Sequence, residues 1–299
     1  MKKQNFFAKS ISFSGIALIL SMVVLLTGCF GEKGFNPENS ITVMSREDGS
    51  GTRGAFIELF GIEKKNDAGE KIDYTTQEAL ITNSTSVMLT NVAGDINAIG
   101  YISLGFLNDT VKALKIDGVE PTVAEIEAGN YKTVRPFNFV LKNDKEQSPQ
   151  VKDFLSYVMS SDGQKIVKEN GYIPSSGESY VPGKNISGKI VLAGSSSVTP
   201  LAEKLKEAYV LLQPEVIIEI QQNDSTTGVT SAINGICDIG MASRELKQTE
   251  IDSGLTPIVM ARDGIAVIVN LENPVSDLSV SDIEQIFTGA VSEWKNFVK

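Results

Sequence analysis

The residues Arg46-Glu47-Asp48-Gly49-Ser50-Gly51-Thr52-Arg53 hold together the groups that an anion needs. Gly49 and Gly51 let the backbone turn sharply and approach a ligand closely. Ser50 and Thr52 place hydroxyls where a helix running into Ala55 and Phe56 leaves its first N–H groups unpaired. The helix dipole adds its positive end, and an arginine on each side adds guanidinium donors. No Gly-Lys-Ser/Thr follows the glycines, so this is not the phosphate loop of a nucleotide hydrolase. A capped helix after a glycine-rich turn has the same residues, so the argument for chemistry rests on what other loops join it.

Those loops follow from the elements that position them. After a linker at 174–189, residues 190–193, 216–220 and 238–242 read as strands. Between them Leu201, Leu205, Ala208 and Leu212 step at helical spacing, with Thr199-Pro200 to start the helix and Pro214 to stop it. A second, short helix begins near Val229. Strands alternating with helices predict an α/β fold with a mostly parallel sheet and helices on both faces. Ligands of such sheets bind beyond the carboxyl ends of the strands. Ser195-Ser196-Ser197, Ser225-Thr226-Thr227-Gly228 and Ser243-Arg244 all fall there, and the stretch at 46–53 follows the run Ile41-Thr42-Val43-Met44 in the same way. Together they describe a dry cage of neutral donors with one or two arginines, suited to a small tetrahedral oxyanion. Micromolar affinity requires about 8 kcal/mol. A helix terminus contributes roughly 0.3–2 kcal/mol and a hydrogen bond to a charged group about 1.5–3 kcal/mol. Donors from two lobes are therefore needed.

The bulk composition narrows the chemistry further. A chain of 299 residues is long enough for two lobes of ordinary size. It has no histidine, which removes Ser-His-Asp and Cys-His catalysis and histidine metal ligation. Its net charge of −10 argues against nucleic acid as a partner. The two cysteines, Cys29 and Cys237, give no disulfide framework, and Cys237 reads as a small buried apolar residue. Lys2, Lys3 and Lys9 precede an apolar run at 15–26 that is too short to span a membrane, and Leu26-Thr27-Gly28-Cys29 follows. Residues 29–39 read as a tether and 111–118 as a strand. The run 151–171 reads as two helices divided at Gly163. The acids at 245–252 read as a solvated helix face, Trp294 and Phe297 as packing residues, and Asp263 as hinge structure. Arg53 fits either an anion or Glu58.

With these loops in hand the chain resembles PstS-type phosphate-binding proteins, the capturing component of bacterial ABC phosphate importers. The resemblance rests on Ala193-Gly194-Ser195-Ser196-Ser197, Asp238-Ile239-Gly240-Met241-Ala242-Ser243-Arg244, Asp263-Gly264-Ile265-Ala266-Val267, Ile286-Phe287-Thr288-Gly289 and the stretch at 46–52. It implies a two-lobed, type II periplasmic-binding-protein fold hinged to close on one anion, with no cofactor, no metal and no enzymatic activity. Ser196, Ser197, Ser225, Arg46, Ser50, Gly51 and Thr52 carry over as phosphate ligands. Ser243 stands near the place where some members have an aspartate that accepts the phosphate proton. The acceptor is then open, with Asp48 the next residue to consider for it or for orienting Arg46. A buried carboxylate would separate protonated phosphate from sulfate, which has no proton to give.

Residues 26–29 resemble the lipobox of bacterial lipoproteins. The resemblance therefore implies a signal peptide over 1–28, a lipid on Cys29 and an anchored position on the outer face of the cell membrane. A monomer working with a membrane permease is expected. The two halves stand in the opposite order to the family's, the pattern of a circular permutation. It places one lobe at 40–132 plus 271–299, the other at 133–270, and Lys299 beside the start of the body. A binder of another tetrahedral oxyanion and a surface sensor or adhesin are the alternative functions.

Overall fold

The computed structural model describes residues 34–298 apart from 144, 145 and 176. The leader, Cys29 and Lys299 lie outside the described residues, and so do the expectations that fall on them. The body, Asn36 onward, is one compact unit. Its first part runs β1 (Thr42–Arg46), α1 (Gly51–Leu59), a hairpin of β2 (Glu63–Lys65) and β3 (Lys71–Asp73), β4 (Leu80–Thr82), α2 (Thr85–Gly94), β5 (Ala98–Ser103), β6 (Val111–Ala113), β7 (Lys115–Ile116) and α3 (Val123–Glu127). Next come β8 (Val134–Lys142), α4 (Pro149–Val158), α5 (Ser161–Glu169), β9 (Ile173–Pro174), β10 (Gly188–Ser195), α6 (Thr199–Leu212), β11 (Val216–Asn223), α7 (Ser225–Ile233) and β12 (Ile239–Ala242). The chain ends through α8 (Gln248–Asp252), the long β13 (Leu255–Asn270), β14 (Asp277–Leu278) and α9 (Val280–Thr288).

One ladder runs β11-β10-β12-β8-β13-β5-β1-β4. At one end β11, β10 and β12 are mutually parallel; at the other, β4, β1 and β5 are. The antiparallel strands β8 and β13 join these halves. β13 pairs with β8 over Leu255–Gly264 and then, without a turn, with β5 and β6 over Ile265–Asn270. Sixteen continuous extended residues carry no turn signal at this exchange of partners, so it leaves no mark in the sequence.

Each half has its own core. Phe137, Phe139, Phe154, Leu192, Leu201, Leu205 and Tyr209 lie on one face of the β10 half, and Val140, Val229, Ala232 and Cys237 on the other. The β1 half packs Met44, Met88, Val92 and Ile102. There Phe56 of α1 stacks on Tyr101 with ring centroids 3.8 Å apart and meets Phe287 edge-on at 4.7 Å. This stack sets the position of α1 on its sheet.

Several local expectations change. The run 111–118 forms two short strands, β6 and β7, on different partners. The break between α4 and α5 lies at Ser160, whose hydroxyl accepts from the Gly163 N–H to cap α5. Gly163 is inside α5 and needs to be glycine there, since a Cβ would sit 2.3 Å from the Tyr157 carbonyl oxygen. Within 245–252, Glu250 is not solvated; it forms a two-pronged pair with Arg244, both bonds 2.8 Å. The linker is fastened down: Asp153 accepts from the Tyr180 hydroxyl at 2.5 Å and the Gly183 N–H at 2.9 Å. The C-terminal segment pairs with the entry to β1 through a Ser40–Glu293 bridge and the Ile41 N–H to the Ser292 carbonyl. Trp294, buried there as expected, donates its Nε1–H to the Asn97 carbonyl at 3.0 Å.

Phe56→Ala would remove the centre of the aromatic stack under α1. A loss of about 3–5 kcal/mol is expected, read as a lowered urea midpoint with an unchanged slope.

Candidate functional site

The helices α1, α2 and α7 all start at the carboxyl ends of strands, and all start with small hydroxyl residues. Ser50 caps α1 by accepting from the Arg53 N–H, Ser84 caps α2 from Val87, and Asp224 caps α7 from Thr227. The turn Ser195-Ser196-Ser197 leads from β10 into α6. The parallel strands of the two halves run in opposite directions and meet along β13, so the N–H-rich ends of these helices face one space from its two sides and point positive potential into it.

Arg46, the last residue of β1, is 2% exposed and lies at the centre of that space. Its Nε and Nη2 donate to the two oxygens of Glu47 at 2.8 and 2.7 Å. Nη2 also reaches the Ser196 hydroxyl at 3.1 Å and Nη1 the Thr85 hydroxyl at 3.4 Å. A buried guanidinium without a counter-charge would be prohibitive, and Glu47 supplies it. Tyr101 holds the strand end from beneath: its hydroxyl meets Ser45 at 2.9 Å and accepts from the Arg46 N–H at 3.1 Å. Burial pushes the Tyr101 phenol up to about 12, with Ser45 opposing the shift, so it stays neutral at physiological pH.

The two halves of the ladder meet here. Thr52 of α1 bonds the Ser197 hydroxyl at 2.8 Å, and Thr85 of α2 bonds the same hydroxyl at 3.1 Å. The Thr226 N–H donates to the Gly49 carbonyl at 3.2 Å. On the far side Ser195 donates to Ser243 at 3.0 Å, Ser225 lies 3.4 Å from it, and the Ser243 N–H donates to Ser225 at 3.1 Å. Gly51 touches this group: a Cβ there would lie 2.3 Å from the Ser225 hydroxyl and 2.7 Å from that of Ser243. Beneath, Arg135 of β8 and Asp263 of β13 form a buried pair, with the Arg135 Nη2–Asp263 Oδ2 contact at 2.9 Å. Arg135 also reaches the Ser243 carbonyl at 3.3 Å, and Ser103 donates to Asp263 at 2.8 Å. Burial pushes the Asp263 carboxyl up, with the Arg135 charge opposing it.

Of the residues singled out in the sequence, Arg46, Ser50, Gly51, Thr52, Ser196, Ser197, Ser225 and Ser243 are all buried around this one space. Asp48 is not among them. Its side chain is 97% exposed and pairs with Arg53 at 2.5 Å. Glu47 does the orienting that was weighed for Asp48, because the chain leaves β1 with Glu47 beside the guanidinium. Arg53 binds Asp48 and Asp73, not Glu58. Sequence reading missed Thr85 and Arg135, while Ser195 was in one of the loops that it singled out. Thr85 had a signal in Asn83-Ser84-Thr85-Ser86, hydroxyls just before a helical pattern; Arg135 had none.

The PBP superfamily domain matches residues 31–162 and 181–298. The chain is 54% identical over 275 residues to the phosphate-binding protein PstS 2 of Streptococcus agalactiae, covering 92% of this chain and 94% of that protein. It belongs to the PstS family of the PBP superfamily. The crystal structure of a phosphate ABC transporter's phosphate-binding protein from Streptococcus pneumoniae superposes with a TM-score of 0.69 at 44% identity, over 87% of this chain and all of that one. The fold is thus the two-lobed PBP-like one. This PstS-family chain aligns in one run with the Streptococcus agalactiae protein, so the order of the halves is common to both and not private to this sequence. Against the phosphate-binding protein PstS of Bacillus subtilis, 33% identity extends over 139 residues, 46% of this chain and 42% of that protein. A match confined to under half of both chains is what exchanged halves allow.

Gly51→Ala would drive a methyl group against Ser225 and Ser243. It is expected to hold the halves apart, with a larger radius of gyration in small-angle scattering and a stability loss of only about 1–3 kcal/mol.

Proposed function

We propose that this PstS-family chain captures inorganic phosphate outside the cytoplasmic membrane for an ABC importer, its two lobes closing over the anion. The observation that carries the reading is the buried Arg46, held by Glu47 and surrounded by hydroxyls and helix N-termini from both halves. Arg46, the first turn of α1 at Gly51 and Thr52, Ser196, Ser197, Ser225 and Ser243 are the phosphate ligands; Ser50 caps and aims α1. The hydroxyls that now bond each other across the cleft exchange those bonds for bonds to the anion. Each is worth about 0.5–1.5 kcal/mol net, few enough that the lobes can part to admit the ligand.

We place the change of lobe where β13 passes from β8 to β5, at Gly264 and Ile265, and where the Ile265 N–H meets the Thr133 carbonyl. One lobe then holds about 40–132 with 265–298, and the other 133–264. The role assigned is binding: the matched relatives are named as phosphate-binding proteins. No helix among the described residues is long and apolar enough to cross a membrane. Membrane attachment is assigned to a lipid on Cys29 after loss of residues 1–28, with the body acting as a monomer beside its permease.

Arg46→Ala removes the guanidinium that reaches the Ser196 and Thr85 hydroxyls. Phosphate affinity by calorimetry is expected to fall at least about 100-fold, since two charge-assisted bonds are lost, with the far-ultraviolet dichroism unchanged. Unaltered affinity would remove Arg46, and with it this reading of the site. Cys29→Ser is expected to move the chain from the membrane fraction to the medium, measured by immunoblot of fractionated cells.

A further inference from the structure

The end of β12 and the exchange of partners in β13 lie close together along β8. β12 runs antiparallel to β8, with Ala242 opposite Asn138. The chain therefore leaves β12 over β8, and two β8 side chains hold its next two carbonyls. Arg135 reaches the Ser243 carbonyl at 3.3 Å, and the Asn138 amide donates to the Arg244 carbonyl at 2.8 Å. Both side chains are buried. Arg135 also stands opposite Asp263 on β13, one rung before Gly264. Ser103 of β5 stands opposite Ile265, the first residue beyond the exchange. Asp263 joins the two. One of its oxygens accepts from Nε and Nη2 of Arg135 at 3.1 and 2.9 Å, and the other accepts from the Ser103 hydroxyl at 2.8 Å. An unbroken run of buried polar contacts thus leads from β5 in one half, through Asp263 and Arg135, to the backbone of Ser243 in the other.

What this run does follows from Ser243. Its carbonyl meets Arg135, and its hydroxyl lies with those of Ser195 and Ser225. A peptide held at its carbonyl cannot turn freely, so the position of the Ser243 side chain is set from beneath. A group held in place before its ligand arrives binds it with little ordering cost. Arginine suits the task, because its planar fork serves the carboxylate and the carbonyl together, whereas a lysine ammonium is a single point charge. We propose that Arg135 is a positioning residue for phosphate: without touching the anion, and with Asp263 and Ser103 behind it, it aims Ser243 at the place where the anion binds. Because the run ends on β5, that aim is fixed relative to both halves. The inference rests on the phosphate-binding reading above and adds to it a residue that lies beneath the ligands.

The test is calorimetric titration of the full chain in detergent with sodium phosphate, for Arg135→Lys, for Ser243→Ala and for the two together, with urea midpoints measured alongside. Arg135→Lys keeps the charge and loses the fork. Its phosphate affinity is expected to fall about tenfold, the worth of one hydrogen bond to a charged group. In the Ser243→Ala background the same change is expected to cost less than about threefold, since its effect runs through the missing hydroxyl. A lowered midpoint with unchanged affinity, or an equal fall in both backgrounds, would make Arg135 structural only; the inference would then fail and the phosphate reading stand. Ser103→Ala removes one hydroxyl at the far end of the run and is expected to weaken phosphate about threefold. Unaltered affinity in that variant would overturn the link to β5. If Arg135→Lys does not fold, Ser103→Ala with and without Ser243→Ala decides by the same comparison. No binding of phosphate by the folded, unsubstituted chain would overturn the phosphate reading and this inference with it.

Discussion

A buried guanidinium must have a partner, and much of this site follows from meeting that need. Arg46 ends a central strand and lies almost entirely out of water. Glu47 neutralises it through two short bonds, and Tyr101 holds the backbone on which both sit. Losing one member of such a pair typically costs about 3–5 kcal/mol, so the geometry at the end of β1 is tightly held. The remaining bonds of Arg46 run across the cleft to the Ser196 hydroxyl and, within its own half, to the Thr85 hydroxyl of α2. A fixed charge and mobile hydroxyls are thus set against each other, the first orienting and the second adapting.

The second buried pair, Arg135 with Asp263, lies where the halves join. Arg135 is on β8 and Asp263 on β13, and both strands belong to the crossing between the halves. Through the Ser243 carbonyl and Ser103, the pair ties the floor of the cage to β12 and β5. A rigid floor beneath two parallel groups of strands lets opening and closing be a change at the cleft, while the ladder through β13 stays intact. The cleft contacts themselves are a few single bonds, between hydroxyls, from Arg46 to Ser196 and from the Thr226 N–H to the Gly49 carbonyl, each modest in net worth, which is the balance that a closing binding protein requires.

The sequence made the site more legible than the fold. Arg46, Gly51, Thr52, Ser196, Ser197, Ser225 and Ser243 could be picked out because short hydroxyl residues before a helix have a local cause, namely unpaired N–H groups. Thr85 carried the same signal in a stretch whose helical spacing was less regular. Sequence reading turned to Asp48 and gave Glu47 no role, since neighbouring acids in a turn differ only in which way the backbone aims them. Arg135 and Asp263 are more than a hundred residues apart and meet only through strand pairing. The crossing within β13 was invisible for a related reason: its residues stay extended while their partners change.

A crystal structure of the protein grown with phosphate tests the central claim most directly. One anion is expected between the halves, bonded to Arg46, to the first turn of α1 at Gly51 and Thr52, and to Ser196, Ser197 and Ser225, in place of the hydroxyl pairs that now bridge the cleft. An anion bound elsewhere, or held by one half alone with the other standing clear, would contradict it.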